Sequence, residues 1–417
     1  MRDCLGASSG PVKQCRSCGA DDLVHLFGLG KQYVNNFVDP GHEHEGPVVP
    51  IELALCRKCS LVQALYTAPN DLLYRRFYWY RSGVTQTMRN ALAEIAKEAA
   101  KRANLQSGDV ALDIGSNDGT LLRSYEIPGL FTVGVEPAEN LMEEGARGIG
   151  TLISDFWNYR TYWRYVGMPA KVVTAIGMFY DLENPNQFIA DIAKALAPNG
   201  LFIAQLMCLA NMIELADVGN LAHEHLEYYS LKSLRCLLGR HGLEMFDVEK
   251  NNVNGSSYRL YIRHIGAPVE PPRGAEERLR MAEDAEKGLD DPEFYQKWFT
   301  KIERNKLACV DFIRGVREDD LHVWAYGMST KGNVILQFYG LDNSLIEAGA
   351  ERSPEKYGKV TIGTGIPICS EERFRSARSD YALVLPYAFI DEFVEREADW
   401  RASGGKFLVP LPSFRIV

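Results

Sequence analysis

The chain lacks any apolar run of the roughly 20 residues a membrane-spanning helix needs. Its opening stretch MRDCLGASSGPVKQ has neither the apolar core nor the cleavage pattern of a secretory signal. A cytoplasmic protein with no membrane partner is the expectation. A basic excess is also missing. The 46 basic and 55 acidic residues leave a formal charge of -9, which argues against a general grip on nucleic-acid phosphates. The partner expected is therefore a small molecule. There is no low-complexity tract and no short-period repeat. With 46% hydrophobic and 24% charged residues the composition is that of a globular protein, and 417 residues exceed the usual size of one hydrophobic core, so two or three units are expected.

Nine cysteines are too few for a disulfide scaffold in a chain of this length, but four of them fall into two C-x2-C pairs, Cys15/Cys18 in QCRSCGA and Cys56/Cys59 in LCRKCSL. Each pair sets two thiols on a tight turn, as one half of a tetrahedral zinc site requires. The stretch between the pairs holds the turns GLGK, DPGHEH and GPVVP, which fits a long loop closed by metal. Free thiols, or ligation by His42 or His44, are the alternatives. Cys4, Cys208, Cys236, Cys309 and Cys369 show no metal spacing. The first 75 residues are thus read as a zinc module too poor in continuous apolar segments to build a large core, with metal binding supplying folding energy.

Residues 76–265 form a second unit. A helical pattern, Met88, Leu92, Ile95 and Ala99, precedes apolar strands at VALDIGS (110–116), LFTVGVEP (130–137) and AKVVTAIGM (170–178). A helix through Phe188 to Leu196, a turn at APNG and a strand at LFIAQLM (201–207) follow. This alternation predicts a largely parallel sheet covered on both faces. The helix LKSLRCLLGRHG and the strands LEMFDVE and SYRLYIRH complete the unit. Residues 266–417 read as a third unit: charged helical material, then an α/β alternation through HVWAYGMS (322–329), NVILQFYG and SDYALVLPYAF (379–389), closing on the strand GKFLVPLP (405–412).

The first strand of the central unit runs into Asp113-Ile114-Gly115-Ser116-Asn117-Asp118-Gly119-Thr120. Gly115 and Gly119 let the backbone turn sharply beneath a flat ligand. The G-x-G-x-x-G pattern of dinucleotide sites is absent, and acidic residues here would repel phosphate. A cofactor with a cationic end, S-adenosylmethionine, suits the turn better, with Asp113, Gly115, Asn117 and Gly119 as its cradle. Glu136 closes the next strand, where a carboxylate can accept both hydroxyls of a ribose. Asp155 and Phe156, after the third strand, offer a hydrogen-bonding group and an apolar face for adenine. Tight folding turns alone are the bland alternative.

In this arrangement the chain resembles class I S-adenosylmethionine-dependent methyltransferases. Over nearly its whole length it resembles the three-part sugar C-methyltransferases, through the cysteine pairs, the Asp113–Gly119 loop, His-Glu-His at 223–225, YGMSTKGN at 326–333, GTGIPI at 363–368 and GGKFLVPLP at 404–412. The resemblance implies an α/β fold: a zinc module, a central Rossmann-like methyltransferase domain and a C-terminal Rossmann-like domain. It implies methyl transfer from S-adenosylmethionine to carbon 3 of a nucleotide-linked keto-deoxysugar, with a structural Zn2+. Carried over by position, His225 is the base, Glu224 orients a histidine or a sugar hydroxyl, and His223 lines the same wall. Capping of the next helix, or a bond to a backbone carbonyl, is the other role open to the two histidines. The family tyrosine is replaced by Ala222, and Tyr78 or Tyr80 of the cluster Tyr78-Trp79-Tyr80 can supply a compensating hydroxyl or merely pack between units. That replacement keeps an O-methyltransferase as the rival enzyme, and a zinc-containing ligand-binding scaffold as the non-enzyme rival. In YGMSTKGN, Tyr326, Ser329, Lys331 and Asn333 read as a turn that binds a nucleotide phosphate or caps a helix. The Walker order is absent there, which argues against ATP hydrolysis.

Overall fold

The computed structural model describes residues 10–75 and 77–417; Cys4 and the opening segment lie outside the described residues. The central sheet has seven strands in the order Leu243–Asn251, Ser257–His264, Leu196–Met207, Ala170–Ile176, Val110–Ile114, Phe131–Val135, Thr151–Ile153. The last five are parallel to one another, and the first two form an antiparallel hairpin on the Leu196–Met207 edge. Chain order reverses between Val110–Ile114 and Ala170–Ile176, so a crevice opens above their carboxyl ends, where ligands enter such sheets. The strand residues there are buried on both faces, as their unbroken apolar runs require. The helix Gln86–Arg102 covers one face through Leu92, Ile95, Ala96 and Ala99, and Thr85 caps it by accepting from the Met88 amide. The APNG sequence makes no chain reversal. Residues 197–200 bulge within the Leu196–Met207 strand, where the pairing shifts from Ala170↔Leu196 to Val172↔Leu201.

The cysteine module is more regular than its turn signals suggest. Leu23–Tyr33 and Val48–Cys56 pair as a long antiparallel hairpin, bent by two register shifts, and Val62–Ala64 adds a third strand. The fourth strand of this sheet is Glu227–Tyr228, from the central unit.

The C-terminal sheet is ordered Ile368–Ser370, Gly349–Glu351, Val323–Tyr326, Tyr381–Val384, Lys406–Val409, Arg415–Ile416, parallel except at its last strand. The chain thus closes on Arg415–Ile416, one strand beyond GKFLVPLP. A 27-residue helix, Pro292–Glu318, starts at the Asp291 cap with proline in its first turn. Its Trp298 and Phe299 pack on Phe27 at ring distances of 5.3 and 4.7 Å, tying the C-terminal part to the cysteine module. A second tie is the two-stranded pairing of Phe37–Val38 with Val360–Thr361.

Candidate active site and zinc centre

The four sulfurs of Cys15, Cys18, Cys56 and Cys59 lie within 4.8 Å of one another. Cys15 is 3.5 Å from Cys59, and Cys18 is 3.4 Å from Cys56. These separations are too long for disulfides and close to the roughly 3.8 Å between ligands of a tetrahedron with 2.3 Å zinc–sulfur bonds. A hydrogen bond from the Cys59 thiol lowers Cys15 to about 5, whereas burial pushes Cys56 up to about 11. A dication is what lets all four thiolates share so small a volume. The donor set therefore fits a structural zinc closed to solvent. His42 and His44 are not part of the cluster; His42 pairs instead with Glu45 at 2.8 Å on the surface.

A cavity of about 700 Å³ lies over the crevice of the central sheet, and all three parts of the chain wall it. On the cofactor side Asp113, Gly115, Ser116, Asn117 and Glu136 line it. Asp113 accepts from the Thr174 hydroxyl at 2.6 Å, and burial pushes its carboxyl up to about 7. Gly115 has φ +70°, and a Cβ there would stand 2.9 Å from Met178 Cγ, so the cradle has no room for a side chain. Glu136 accepts the amides of Asn117 and Ala138, both at 2.8 Å. Those bonds occupy two of its four lone-pair sites, and the remaining ones suit ribose hydroxyls. The buried Ser116 hydroxyl has no partner, a polar group waiting for a ligand. The pocket thus fits S-adenosylmethionine, whose sulfonium supplies an electrophilic methyl group when bound.

The other proposed cofactor residues divide. Phe156 lines the cavity with the Arg75 guanidinium 5.0 Å from its ring centre, whereas Asp155 turns away to accept from Arg75 at 3.3 Å. Gly119 lies beneath the loop, where an added Cβ would meet the Gly145 carbonyl at 2.8 Å. Asn117 instead grips the entrance segment, accepting the Ser82 amide at 2.9 Å and donating to the Tyr80 carbonyl at 3.1 Å.

The His-Glu-His segment forms the facing wall. His225 Nδ1 is 2.7 Å from the Asn220 carbonyl, which fixes the proton on Nδ1 and leaves Nε2 with its lone pair. The residue lines the cavity, and burial lowers its pKa to about 3, aided by the charge of Lys331. His223 is different: its Nε2 bonds the Val49 carbonyl at 2.9 Å, outside the cavity lining. Glu224 lines the cavity with one carboxylate oxygen unpartnered, and burial raises its pKa. Tyr78 lines the cavity, its backbone pinned on both sides by the Asn140 amide. Tyr80 stands at the mouth, 46% exposed. Trp79 donates to Asn36 at 2.9 Å and packs edge-on against Phe37, joining the cysteine module to the central unit.

Three lining residues were not foreseen in this role: Tyr180, Asp181 and Lys331. Tyr180 and Asp181 follow the strand Ala170–Ile176, and such a position at a carboxyl edge was the available signal. Burial, with Glu224 next, pushes Asp181 well above the carboxylate range. Of YGMSTKGN, Thr330 and Lys331 reach the cavity. Tyr326 is instead bonded to Glu397 at 2.6 Å, Ser329 caps the helix Thr330–Tyr339, and Asn333 donates to the Asn36 carbonyl.

Three family models match the chain in succession: a zinc binding domain over residues 15–74, a methyltransferase domain over 80–248 and a C-methyltransferase C-terminal domain over 252–412. The C-methyltransferase NovU of Streptomyces niveus is 28% identical over 413 residues, 98% of this chain and 97% of its own. Among solved structures, magnesium protoporphyrin IX methyltransferase of Synechocystis PCC 6803 is 14% identical, with 42% of this chain and 79% of that one covered at a TM-score of 0.32. An amino pentose methyltransferase from Micromonospora echinaspora is 12% identical, with 42% and 91% covered at a TM-score of 0.31. Matched in succession from residue 15 to residue 412, the three parts make the chain a three-domain, zinc-containing, S-adenosylmethionine-dependent C-methyltransferase related to NovU.

Proposed function

We propose that the acceptor is carbon 3 of a nucleotide-linked 4-keto-deoxysugar and that the reaction runs in the cytoplasm, a reducing compartment that suits a cluster of four thiolates. The observation that carries this reading is the imidazole of His225, locked as the Nδ1–H tautomer on the wall opposite the cofactor cradle of one shared cavity. A carbon acid beside a ketone cannot attack a methyl group until a base removes its proton, and a neutral Nε2 is such a base. Glu136 takes the cofactor ribose, Gly115 gives the cofactor close access to the backbone, Asp113 and Asn117 shape the loop, and Phe156 gives adenine an apolar face. Glu224 and Tyr78 orient the sugar, Tyr80 guards the mouth, and His223 braces the wall from behind through Val49.

The test is a mass assay of zinc-replete protein with S-adenosylmethionine and a panel of thymidine and uridine diphosphate sugars. The expected result is a gain of one methyl group on a 4-keto sugar with fragmentation placing it at carbon 3. Methylation of a hydroxyl, or of no sugar in the panel by protein that binds S-adenosylhomocysteine, overturns the reading.

A further inference from the structure

Resting on the keto-sugar reading, we propose that Lys331 holds the acceptor's ketone oxygen as it becomes an enolate, which makes it a further catalytic residue.

Lys331 is the second residue of the helix Thr330–Tyr339, whose start is capped by Ser329 accepting the Gly332 amide at 3.0 Å. Its backbone rests on the turn that carries the base: a Cβ at Gly219 would lie 3.3 Å from the Lys331 carbonyl and 3.6 Å from its Cβ. The next residue, Asn220, holds His225 Nδ1. Lysine and base are therefore referenced to the same short loop although they come from different parts of the chain.

Lys331 is half-buried in the cavity wall, and its ammonium has no ion pair. Asp217, Asp181 and Glu224 act on it through space, yet among the described residues no carboxylate comes within 4.0 Å of it. Two other enclosed cations show the contrast. Arg102 reaches Glu98, Asp247 and Glu249, each at 2.6 Å, and Lys356 reaches Glu351 at 3.0 Å and the Met328 carbonyl at 2.8 Å. A half-buried cation facing a cavity without a partner is costly, so the partner is expected with the ligand.

Two features select a ketone oxygen over a phosphate. Lys331 is the sole lysine or arginine among the described lining residues, beside acidic side chains at Glu45, Asp113, Glu136, Asp181, Glu183 and Glu224. Single negative charge developing on one oxygen matches one ammonium, whereas a diphosphate spreads several charges over many oxygens and would find no second lysine or arginine among the described lining residues. Secondly, Ala222 lines the cavity where the resemblance calls for a tyrosine, and a methyl cannot donate to a ketone. The charge on Lys331 also opposes protonation of His225. A cation that weakens the free base is useful only if it stabilises what the base creates.

In the step assigned to these residues, the C–H bond beside the ketone breaks and its proton passes to His225 Nε2. The bonding pair becomes the C=C bond of the enolate, the carbonyl pair moves to oxygen, and that oxygen accepts from the Lys331 ammonium, which keeps its protons. When the carbon takes the methyl group, the methyl's bond to sulfur would break with its electron pair left on sulfur, the C=O bond reforms, and the lysine again faces an uncharged carbonyl. Such a donor acts more strongly on the charged state than on the ground state.

The test follows deuterium entering carbon 3 from D2O, with S-adenosylhomocysteine in place of the methyl donor and a thymidine diphosphate 4-keto-6-deoxyhexose as probe. Lys331→Met should slow exchange about 100-fold or more, the range for losing one oxyanion donor. Affinity for thymidine diphosphate alone should change less than about threefold, and Lys331→Arg should recover part of the exchange, since a second fixed cation restores the charge. S-adenosylhomocysteine binding reports folding, and Lys331→Gln replaces the methionine variant if that one does not fold. Exchange at the wild-type rate in a folded variant overturns the assignment, and so does a loss of thymidine diphosphate affinity as large as the loss of exchange, which marks a phosphate ligand. Wild-type enzyme that binds S-adenosylhomocysteine but exchanges no 4-keto sugar contradicts the keto-sugar reading itself.

Discussion

An imidazole whose Nδ1–H is committed to a carbonyl can act only through Nε2, and in His225 that atom belongs to a ring kept neutral by burial. His225→Asn should leave affinity for S-adenosylhomocysteine within about threefold of wild type and cut single-turnover methyl transfer about 100-fold or more, as loss of a general base does. Near-normal transfer combined with collapse in Tyr78→Phe would move the base to the phenol. Lowering of its pKa to about 3 carries a second expectation. Because kcat/KM reports groups of the free enzyme, no acid limb assignable to this histidine should appear near pH 6.5, and removing Lys331's charge should move its limb upward. Glu136 is tested without any sugar. Glu136→Ala removes the proposed acceptor of two ribose bonds, each charge-assisted bond being worth roughly 1.5 to 3 kcal/mol, so calorimetry should show S-adenosylhomocysteine bound at least about tenfold more weakly. Unchanged affinity would take Glu136 out of the site.

One short strand links metal to chemistry. Val62–Ala64 begins just past Ser60 and Leu61 after Cys59 and pairs with Glu227–Tyr228, which only Leu226 separates from His225, and the Ala64 amide donates to the Leu226 carbonyl at 2.9 Å. His223 adds its bond to Val49 in the same sheet, and Tyr74 donates to the Glu224 carbonyl at 2.7 Å. The zinc cluster is thus a fastener for the wall that carries His225, the proposed base. Cys56→Ser should lower zinc content below one per chain by elemental analysis, lower the melting temperature, and reduce methyl transfer while S-adenosylhomocysteine binding persists, since the cofactor cradle hangs on the central sheet. Zinc-free protein with unchanged melting and transfer would separate the two. This coupling was not legible in the sequence. The C-x2-C pairs advertise a metal by spacing alone, but the hairpin between them was hidden behind its glycines and prolines, and a two-residue strand contributed from a distant part of the chain leaves no local signature.

At the scale of the whole molecule, buried ionisable groups set the pH response. His223 and His225 are lowered by burial to about 4 and about 3. In the unfolded chain they take up protons near pH 6.5, so between that pH and the folded values the unfolded state binds more protons. Their stabilising contribution is full above about pH 6.5 and is lost as pH falls. Asp113, raised by burial to about 7, works in the opposite sense: its contribution is present below the unfolded value near 3.8 and lost as pH rises through 7. The difference in melting temperature between wild type and His223→Gln should therefore change between pH 7 and 4.5, the variant losing less stability on acidification. Parallel profiles would mean that His223 is not held neutral. The parts legible in sequence were those written locally: the glycine turn after Val110–Ile114, Glu136 at the next strand end, and the dense His-Glu-His segment. What escaped was assembled from distant pieces. Asp181, Glu224 and Lys331 meet only once the C-terminal helix docks over the central crevice, and Asp155 faces Arg75 because that guanidinium, four residues after Asp71, stacks over Phe156. The central claim is carbon as the acceptor, and the most direct measurement uses S-adenosylmethionine labelled with 13C in its methyl group. The account predicts a product whose labelled methyl shows one-bond coupling to carbon 3 of the sugar ring. A labelled methyl with the chemical shift of a methyl ether and no carbon–carbon coupling would contradict it.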